Sequence, residues 1–331
     1  MSQGTTNLDD ITIIMPSRFN PRADQRIREA FAATIVDAPD PAAISPDVLK
    51  ATRGLAAWLS PAWIPLIDAL PNLEIIANFG VGYDTASTLH AIGKDVVVTH
   101  TPSVLDEEVA DTAMALLLNA TRELYQAEKW LREGRWHNEG NYRLTPLTLR
   151  ERTVGIYGLG RIGKAIARRI EAFGLPIHYH NRKRDESVAY PWHASLEDLA
   201  RAVDTLIVVV PGTPETARTI DATILQMLGP DGVLVNIGRG TTVDEPALIA
   251  ALSDGTIAAA GLDVFEDEPY VPAELMAMDN VCLLPHVGSA SVRTRALMGD
   301  LVADNLVSWF TRGETITAVP EAGHLAKRKI D

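Results

Sequence analysis

The stretch Thr153-Val-Gly-Ile-Tyr-Gly-Leu-Gly-Arg-Ile-Gly163 decides how the chain folds. Thr153 to Tyr157 is a short apolar run with strand character. Gly158, Gly160 and Gly163 follow as G-x-G-x-x-G. A helical pattern then begins at once, from Arg161 to Phe173, with Ile162, Ala165, Ile166, Arg169 and Ile170 at helical spacing. Strand, glycine turn and helix in this order form the context a dinucleotide fingerprint needs. Gly158 permits the tight turn, Gly160 lets backbone approach a pyrophosphate, and Gly163 lets the helix lie close on the strand. The helix N-terminus offers free N–H groups and the positive end of a dipole to the phosphates. The bland alternative is a glycine turn with no ligand; the flanking elements favour the cofactor.

The next strand, Pro176 to His180, runs into His180-Asn-Arg-Lys-Arg184. A dinucleotide domain reads its ribose about 20 residues beyond the glycines, and sites selective for NAD place an acid there. Here Asn181 stands where that acid would be, with Arg182, Lys183 and Arg184 behind it. An acid repels a 2′-phosphate, whereas Arg and Lys pair with it. The position of this run favours NADPH, with NADH as the weaker cofactor, over a solvated charged loop.

Outward from this centre, the 331 residues suffice for two domains. Apolar content of 47% with 22% charged residues is that of a globular chain with a good core. A formal net charge of −13 argues against nucleic acid or an anionic membrane as partner, but a local basic site still admits an anionic substrate. One cysteine, Cys282, excludes an intramolecular disulfide and a cysteine-rich metal site; it reads as a buried, inert thiol, and no metal is expected. The first ten residues lack the basic-then-apolar order of a signal peptide, and no apolar run reaches the ~18 residues of a membrane span. A cytoplasmic protein is expected.

Toward the N-terminus, Ile11 to Pro16 reads as a strand and Ala23 to Ala33 as a helix. Further apolar segments lie at Leu55 to Leu59, Leu73 to Phe79 and Asp95 to His100. Helical pieces over Pro46 to Thr52, Ala62 to Leu70 and Thr85 to Ile92 alternate with them. That alternation implies βαβ units and a parallel sheet. Asn78-Phe-Gly-Val-Gly-Tyr-Asp84 follows a strand, and its glycines allow N–H groups to form a carboxylate nest; a plain βα turn is the alternative. Pro102 marks a boundary. A long helix is then expected from Asp106 to Trp130, followed by Trp136 and Tyr142 as core or interface aromatics.

Beyond the fingerprint, Ser195 reads as the N-cap of a helix to Ala202. Strands follow at Thr205 to Val210, Val233 to Ile237, Ala258 to Gly261 and Val281 to Leu284. Ligands of open α/β sheets bind outside the carboxyl ends of strands, and Arg239, Glu268 and His286 each follow a strand. An arginine forks onto a carboxylate and polarises a carbonyl. A histidine passes a proton near neutral pH, and a carboxylate beside it favours the imidazolium and fixes its tautomer. Singly each has a structural reading; together, behind a dinucleotide fingerprint, they indicate hydride transfer to a 2-keto acid.

These motifs, with Val109-Ala-Asp-Thr112, Asn236-Ile-Gly-Arg-Gly240, Gly261-Leu-Asp-Val-Phe265, Glu268-Pro269 and Pro285-His-Val-Gly-Ser289, occur in the order seen in one family. The chain resembles the D-isomer-specific 2-hydroxyacid dehydrogenases, and within them the NADPH-preferring glyoxylate/hydroxypyruvate reductases. The resemblance implies two doubly wound Rossmann-like α/β domains with parallel sheets and an active site in the inter-domain cleft. Residues 102–288 form an NAD(P)-binding domain inserted into a substrate-binding domain of 1–101 and 289–331, and the family is commonly dimeric through the coenzyme domain.

The same resemblance implies the site. Gly158, Gly160, Arg161, Ile162 and Gly163 carry the pyrophosphate, and Asn181, Arg182 and Lys183 the ribose phosphate. Val210, Pro211, Thr216, Ile237, Gly238, Arg239, Asp263, His286 and Gly288 line the cofactor, with Asp263 toward the carboxamide. The N–H groups of Val81 and Gly82 receive the substrate carboxylate, assisted by Arg239. Protonated His286, kept charged by Glu268, protonates the keto oxygen.

Rival readings are weaker. A formate dehydrogenase on this scaffold carries Gln where Glu268 stands. A D-lactate- or phosphoglycerate-type enzyme using NADH does not call for the 182–184 cations. A dinucleotide-sensing corepressor would carry disordered tails that the composition lacks.

Overall fold

The computed structural model describes residues 7–83 and 85–328. Asp84, which ends the 78–84 motif, lies outside the described residues, as do residues 1–6. The chain divides into two compact units: residues up to Leu105 together with Ser291 onward, and Asp106–Ala290.

The first unit holds β1 (Thr12–Pro16), β2 (Ala32–Val36), β3 (Thr52–Ala57), β4 (Ile75–Asn78) and β5 (Val97–Thr99), all parallel, in the order β2-β1-β3-β4-β5. This is a doubly wound order that reverses beside β1 and β3. The C-terminal helix Val292–Arg312 packs on the helix Pro21–Ala30 so closely that a Cβ at Gly299 would lie 2.4 Å from Asn20 Oδ1. Arg22 and Arg26 pair with Asp300 across that contact, and Arg26 also with Asp304.

The second unit holds β6 (Val154–Tyr157), β7 (Ile177–His180), β8 (Trp192–His193), β9 (Thr205–Val208), β10 (Val233–Asn236), β11 (Ala259–Leu262) and β12 (Val281–Leu283). They too are parallel, in the order β12-β11-β10-β9-β6-β7-β8. The central strands are buried on both faces, which is why they read as continuous apolar runs. The reversal falls between β6 and β9. The glycine turn after β6 lies there, and a Cβ at Gly158 would meet Val210 Cγ1 at 2.9 Å.

Three expectations from the sequence change. The helix expected to reach Ala33 ends at Ala30, and Ala32–Val36 is a strand. Alanines carry helical periodicity past the true end, and β2 is a half-exposed edge strand with little alternation to betray it. The single helix expected over Asp106 to Trp130 is two, Asp106–Arg122 and Leu124–Arg132, broken at Glu123 with φ 49°. Buried Glu123 is held there by Tyr142 OH at 2.7 Å and Arg143 at 2.9 Å. Asn119 Oδ1 accepts from Tyr125 N at 2.9 Å, which caps the restart. Thirdly, the short edge strand β8 has no counterpart in the sequence reading. Ser195 does cap the helix Leu196–Ala202, accepting from Asp198 N at 3.1 Å.

Cys282 is buried in β12, and burial pushes its thiol up to about 11. No helix among the described residues is long and apolar enough to cross a membrane. A disulfide-forming reagent at pH 8 is expected to leave the native thiol unmodified and to titrate one thiol after unfolding; rapid labelling of native protein would contradict the burial of β12.

Candidate active site

The second unit brings four of the expected residues together through strand register. Asn236 of β10 lies opposite Leu262 of β11, and Leu262 opposite Leu283 of β12. Arg239, Asp263 with Glu268, and His286 therefore leave the carboxyl ends of three adjacent strands. His286 Nδ1 lies 2.6 Å from Glu268 Oε2, and Glu268 Oε1 accepts from Phe265 N at 3.1 Å. A carboxylate that only accepts requires the proton on Nδ1. Burial alone would raise the Glu268 carboxyl. The hydrogen bond and charge of His286, the Phe265 N–H and Arg239 together outweigh it and hold the carboxyl below its ordinary range. Burial pulls the Arg239 guanidinium down, against the charge of Glu268. Arg239 Nη1 donates to Gly238 O at 2.6 Å.

His286 has a left-handed backbone, φ 52°, which non-glycine residues adopt only when surroundings impose it. Asp263 imposes it. Its buried carboxylate accepts from Val287 N at 2.7 Å and Gly288 N at 2.8 Å, while its carbonyl accepts from His286 N at 2.9 Å. Both carboxylate oxygens thus brace the histidine loop, a task distinct from the carboxamide contact expected for Asp263. Thr112 Oγ1 adds a bond to Gly288 O at 3.2 Å. Asn236 does similar work under Arg239, accepting from Gly238 N at 3.1 Å and donating to Arg239 O at 3.0 Å. Glu245, buried, accepts from Glu266 N at 2.7 Å and so holds the loop that presents Glu268. Thr112 ends the Val109–Thr112 motif but carried no role in the sequence, and Glu245 carried no signal, since their partners are loop peptides far along the chain.

The fingerprint residues leave a helix start open. Gly158 has φ 105°, and a Cβ at Gly163 would fall 2.3 Å from Gly158 O. The helix Arg161–Ala172 starts at Gly160 with no side-chain cap, and Arg161, Ile162 and Gly163 N–H find no protein acceptor among the described residues. A Cβ at Gly160 would meet nothing within 4 Å, so the approach to these donors is open. Uncapped donors, a helix dipole and open backbone fit a pyrophosphate.

Asn181 does more than vacate the acid's place. Its Oδ1 accepts from Leu159 N at 2.7 Å and its Nδ2 donates to Leu159 O at 3.4 Å, which pins the glycine turn. Arg182 and Lys183 are exposed and make no ion pair among the described residues, whereas Arg184 pairs with Glu186 at 3.5 Å. Thr216 Oγ1 is engaged by its own loop, donating to Pro211 O at 2.6 Å and accepting from Thr213 N at 2.8 Å. Val210 and Ile237 are buried at the ends of β9 and β10, and a Cβ at Gly238 would meet Val210 O at 2.8 Å.

Val81 and Gly82 belong to the first unit, in the loop after β4. All three carbonyls of Gly80, Val81 and Gly82 are captured. Gly80 O accepts from Thr101 N at 3.0 Å and Asn78 Nδ2 at 3.2 Å, Val81 O from His100 Nδ1 at 3.2 Å, and Gly82 O from Asn78 Nδ2 at 3.4 Å. A planar trans peptide sets each following N–H opposite its carbonyl. The N–H groups of Val81, Gly82 and Tyr83 therefore point away from those donors, and none has a protein acceptor among the described residues. Tyr83 N–H is a third donor that the sequence reading did not assign.

Residues 114–288 match the family model "D-isomer specific 2-hydroxyacid dehydrogenase, NAD binding domain". The chain belongs to the D-isomer-specific 2-hydroxyacid dehydrogenases. It is accordingly an oxidoreductase acting on CH–OH groups, with an NAD-binding domain. Its similarity to a hydroxyphenylpyruvate reductase of Plectranthus scutellarioides is 47% identity over 77% of this chain and 80% of that protein. A glyoxylate/hydroxypyruvate reductase of Arabidopsis thaliana is 46% identical over the same shares. Among solved structures, an NADPH-dependent glyoxylate/hydroxypyruvate reductase of Sinorhizobium meliloti, in complex with NADP and malonate, superposes with a TM-score of 0.93 at 52% identity. That match covers 97% of this chain and all of the other.

Asp263→Asn turns an amide NH2 toward one of two N–H donors. The variant is expected to lose about 1–3 kcal/mol of stability in urea denaturation; an unchanged midpoint would show that Asp263 does not brace the His286 loop.

Proposed function

We propose that this protein uses NADPH to reduce small 2-keto acids, glyoxylate to glycolate and hydroxypyruvate to D-glycerate. The observation that carries the reading is the His286–Glu268 pair at 2.6 Å beside Arg239, at the carboxyl ends of adjacent strands. In this reading the unit 106–290 binds coenzyme and the other unit binds substrate. The uncapped start of the helix Arg161–Ala172 holds the pyrophosphate. Arg182 and Lys183, exposed and without ion pairs, hold the 2′-phosphate; Arg184 is already engaged by Glu186. The NADP in the similar Sinorhizobium structure supports this preference.

When bound, the reduced dinucleotide supplies the hydride. The chain's own groups do the rest. The N–H groups of Val81 and Gly82 receive the substrate carboxylate. Arg239, partly desolvated, forks onto the carboxylate and polarises the keto oxygen. His286 releases a proton from Nε2 to that oxygen, while Glu268, held ionised, keeps Nδ1 protonated and favours the charged ring beforehand.

A second reading, reduction of bulkier aromatic 2-keto acids, has one observation in its favour. Phe19, Trp58 and Phe79 follow the carboxyl ends of β1, β3 and β4 and pack edge to face at 5.0–5.8 Å, with Trp58 42% exposed. The hydroxyphenylpyruvate reductase among the relatives is consistent with it. A homodimer through the coenzyme unit is supported by Leu124, Tyr125, Leu131, Trp136 and Leu144, all at least half exposed on one segment of the second unit.

Steady-state reduction of glyoxylate, hydroxypyruvate and phenylpyruvate with NADPH and NADH tests the reading. Turnover on one of the two small acids with clear preference for NADPH is expected. NADH preference would overturn the role of Arg182 and Lys183, and higher efficiency on phenylpyruvate would favour the aromatic alternative. His286→Ala is expected to lower the rate about 10²–10⁴-fold. Glu268→Gln should lower kcat for reduction, because a neutral amide no longer holds the ring by a charge-assisted bond at Nδ1. Near-normal turnover of His286→Ala would remove it as proton donor. By light scattering the mass should be twice the 35.9 kDa of one chain, and Trp136→Glu should halve it.

A further inference from the structure

We infer that Tyr83, Glu321 and His100 are positioning residues for the carboxylate-binding loop, and that the C-terminal segment 314–321 is its brace. This rests on the proposed role of the Val81 and Gly82 N–H groups. A loop with glycines at 80 and 82 has many accessible conformations, and Gly80 sits at φ 151°. Its donors serve as a preformed anion site only if something outside the loop selects one of these conformations.

Three ties do so, all from the first unit. His100 Nδ1 bonds to Val81 O at 3.2 Å, and because a carbonyl can only accept, the proton must be on Nδ1. Tyr83 OH donates to Glu321 Oε2 at 2.8 Å, and its ring stands edge-on to His100 at 5.6 Å. Burial, with the Glu321 carboxylate behind it, raises the Tyr83 phenol far above its ordinary value, so it remains a donor at every working pH.

His100 and Glu321 are in turn fixed by the C-terminal segment. His100 N donates to Thr317 O at 3.1 Å, and Thr317 Oγ1 donates to His100 O at 2.6 Å. Asn305, fully buried in the C-terminal helix, accepts from Ile316 N and Thr317 N at 2.9 Å each and donates to Thr317 Oγ1 at 2.8 Å. Val319 N donates to Val98 O at 2.9 Å, which lays the segment along β5 and delivers Glu321 to Tyr83. The path from buried Asn305 to the loop is thus a continuous set of hydrogen bonds, and it reaches the carbonyl side of the loop while its N–H side stays open.

The test compares Tyr83→Phe, Glu321→Ala and Glu321→Gln with the unaltered protein. Readouts are KM and kcat for glyoxylate, KM for NADPH, and calorimetric affinity for oxalate, a non-reducible dicarboxylate, in the presence of NADP. Tyr83→Phe and Glu321→Ala are expected to raise both the glyoxylate KM and the oxalate Kd about five- to tenfold, with kcat and the NADPH KM within about twofold. Glu321→Gln, whose amide oxygen still accepts from the phenol, should behave as the unaltered protein. Unchanged glyoxylate KM and oxalate Kd in the first two variants would overturn the inference, as would a rise in the NADPH KM by the same factor. If the unaltered protein reduces no keto acid, the proposed function fails, and oxalate affinity across the variants decides the brace by itself.

Discussion

One buried carboxylate governs the chemistry-bearing end of the second sheet. Asp263 receives two successive backbone N–H groups, those of Val287 and Gly288, and its own carbonyl receives a third, from His286. These bonds hold His286 in a backbone conformation that costs an ordinary residue on the order of 1 kcal/mol or more. Without them the ring has no reason to lie against Glu268. Burial raises the Asp263 carboxyl, and the bonds from the Val287 and Gly288 N–H groups, with the charge of His286, offset only part of that cost. The same residue therefore explains the strained φ and sets the ring beside Glu268, whose carboxylate in turn fixes the tautomer.

A similar division of labour recurs in the other loops. Asn236 holds Gly238 N and Arg239 O, Asn181 holds the N–H and carbonyl of Leu159 in the glycine turn, and Asn78 holds two carbonyls of the 80–82 loop. Each is an amide side chain at or next to the end of a parallel strand, able to donate and accept at once. Loops at the carboxyl edge have no ladder partners of their own, so their peptide groups must be satisfied by such side chains. Where a loop's carbonyls are captured, peptide planarity turns its N–H groups outward as a set. The 80–83 loop frees its N–H groups in this way, whereas the glycine turn frees those of a helix start.

Charge is arranged against the global field. The chain is strongly acidic, yet the exposed edge beyond β7 carries Arg182 and Lys183 in no close ion pair among the described residues, with Glu215 near enough to Arg182 for its carboxyl to feel that charge, while most surface cations elsewhere pair with acids in the same unit.

Much of the site was legible in the linear chain because its signals are local. G-x-G-x-x-G between an apolar run and a helical pattern needs only neighbouring residues to be read, and so does the replacement of an acid by Asn181 and its cations. Parallel pairing was implied by the alternation of strands and helices, since parallel neighbours require crossovers; the strand order came from the structure. The break at Glu123 was not legible, because the residues that hold it, Tyr142 and Arg143, arrive from further along the chain. Nor was the strand at Ala32, whose pairing with β1 overrides local alanine propensity. The sequence by itself determined the fold class and singled out the glycine turn and Arg239, Glu268 and His286, which the structure places at the carboxyl ends of the second sheet's strands. Only tertiary structure decided that Asp263, Asn236, Glu245 and the Thr317–His100–Tyr83 ties hold those groups in place, because a hydrogen bond to a distant backbone group leaves no periodicity or spacing in the chain that makes it.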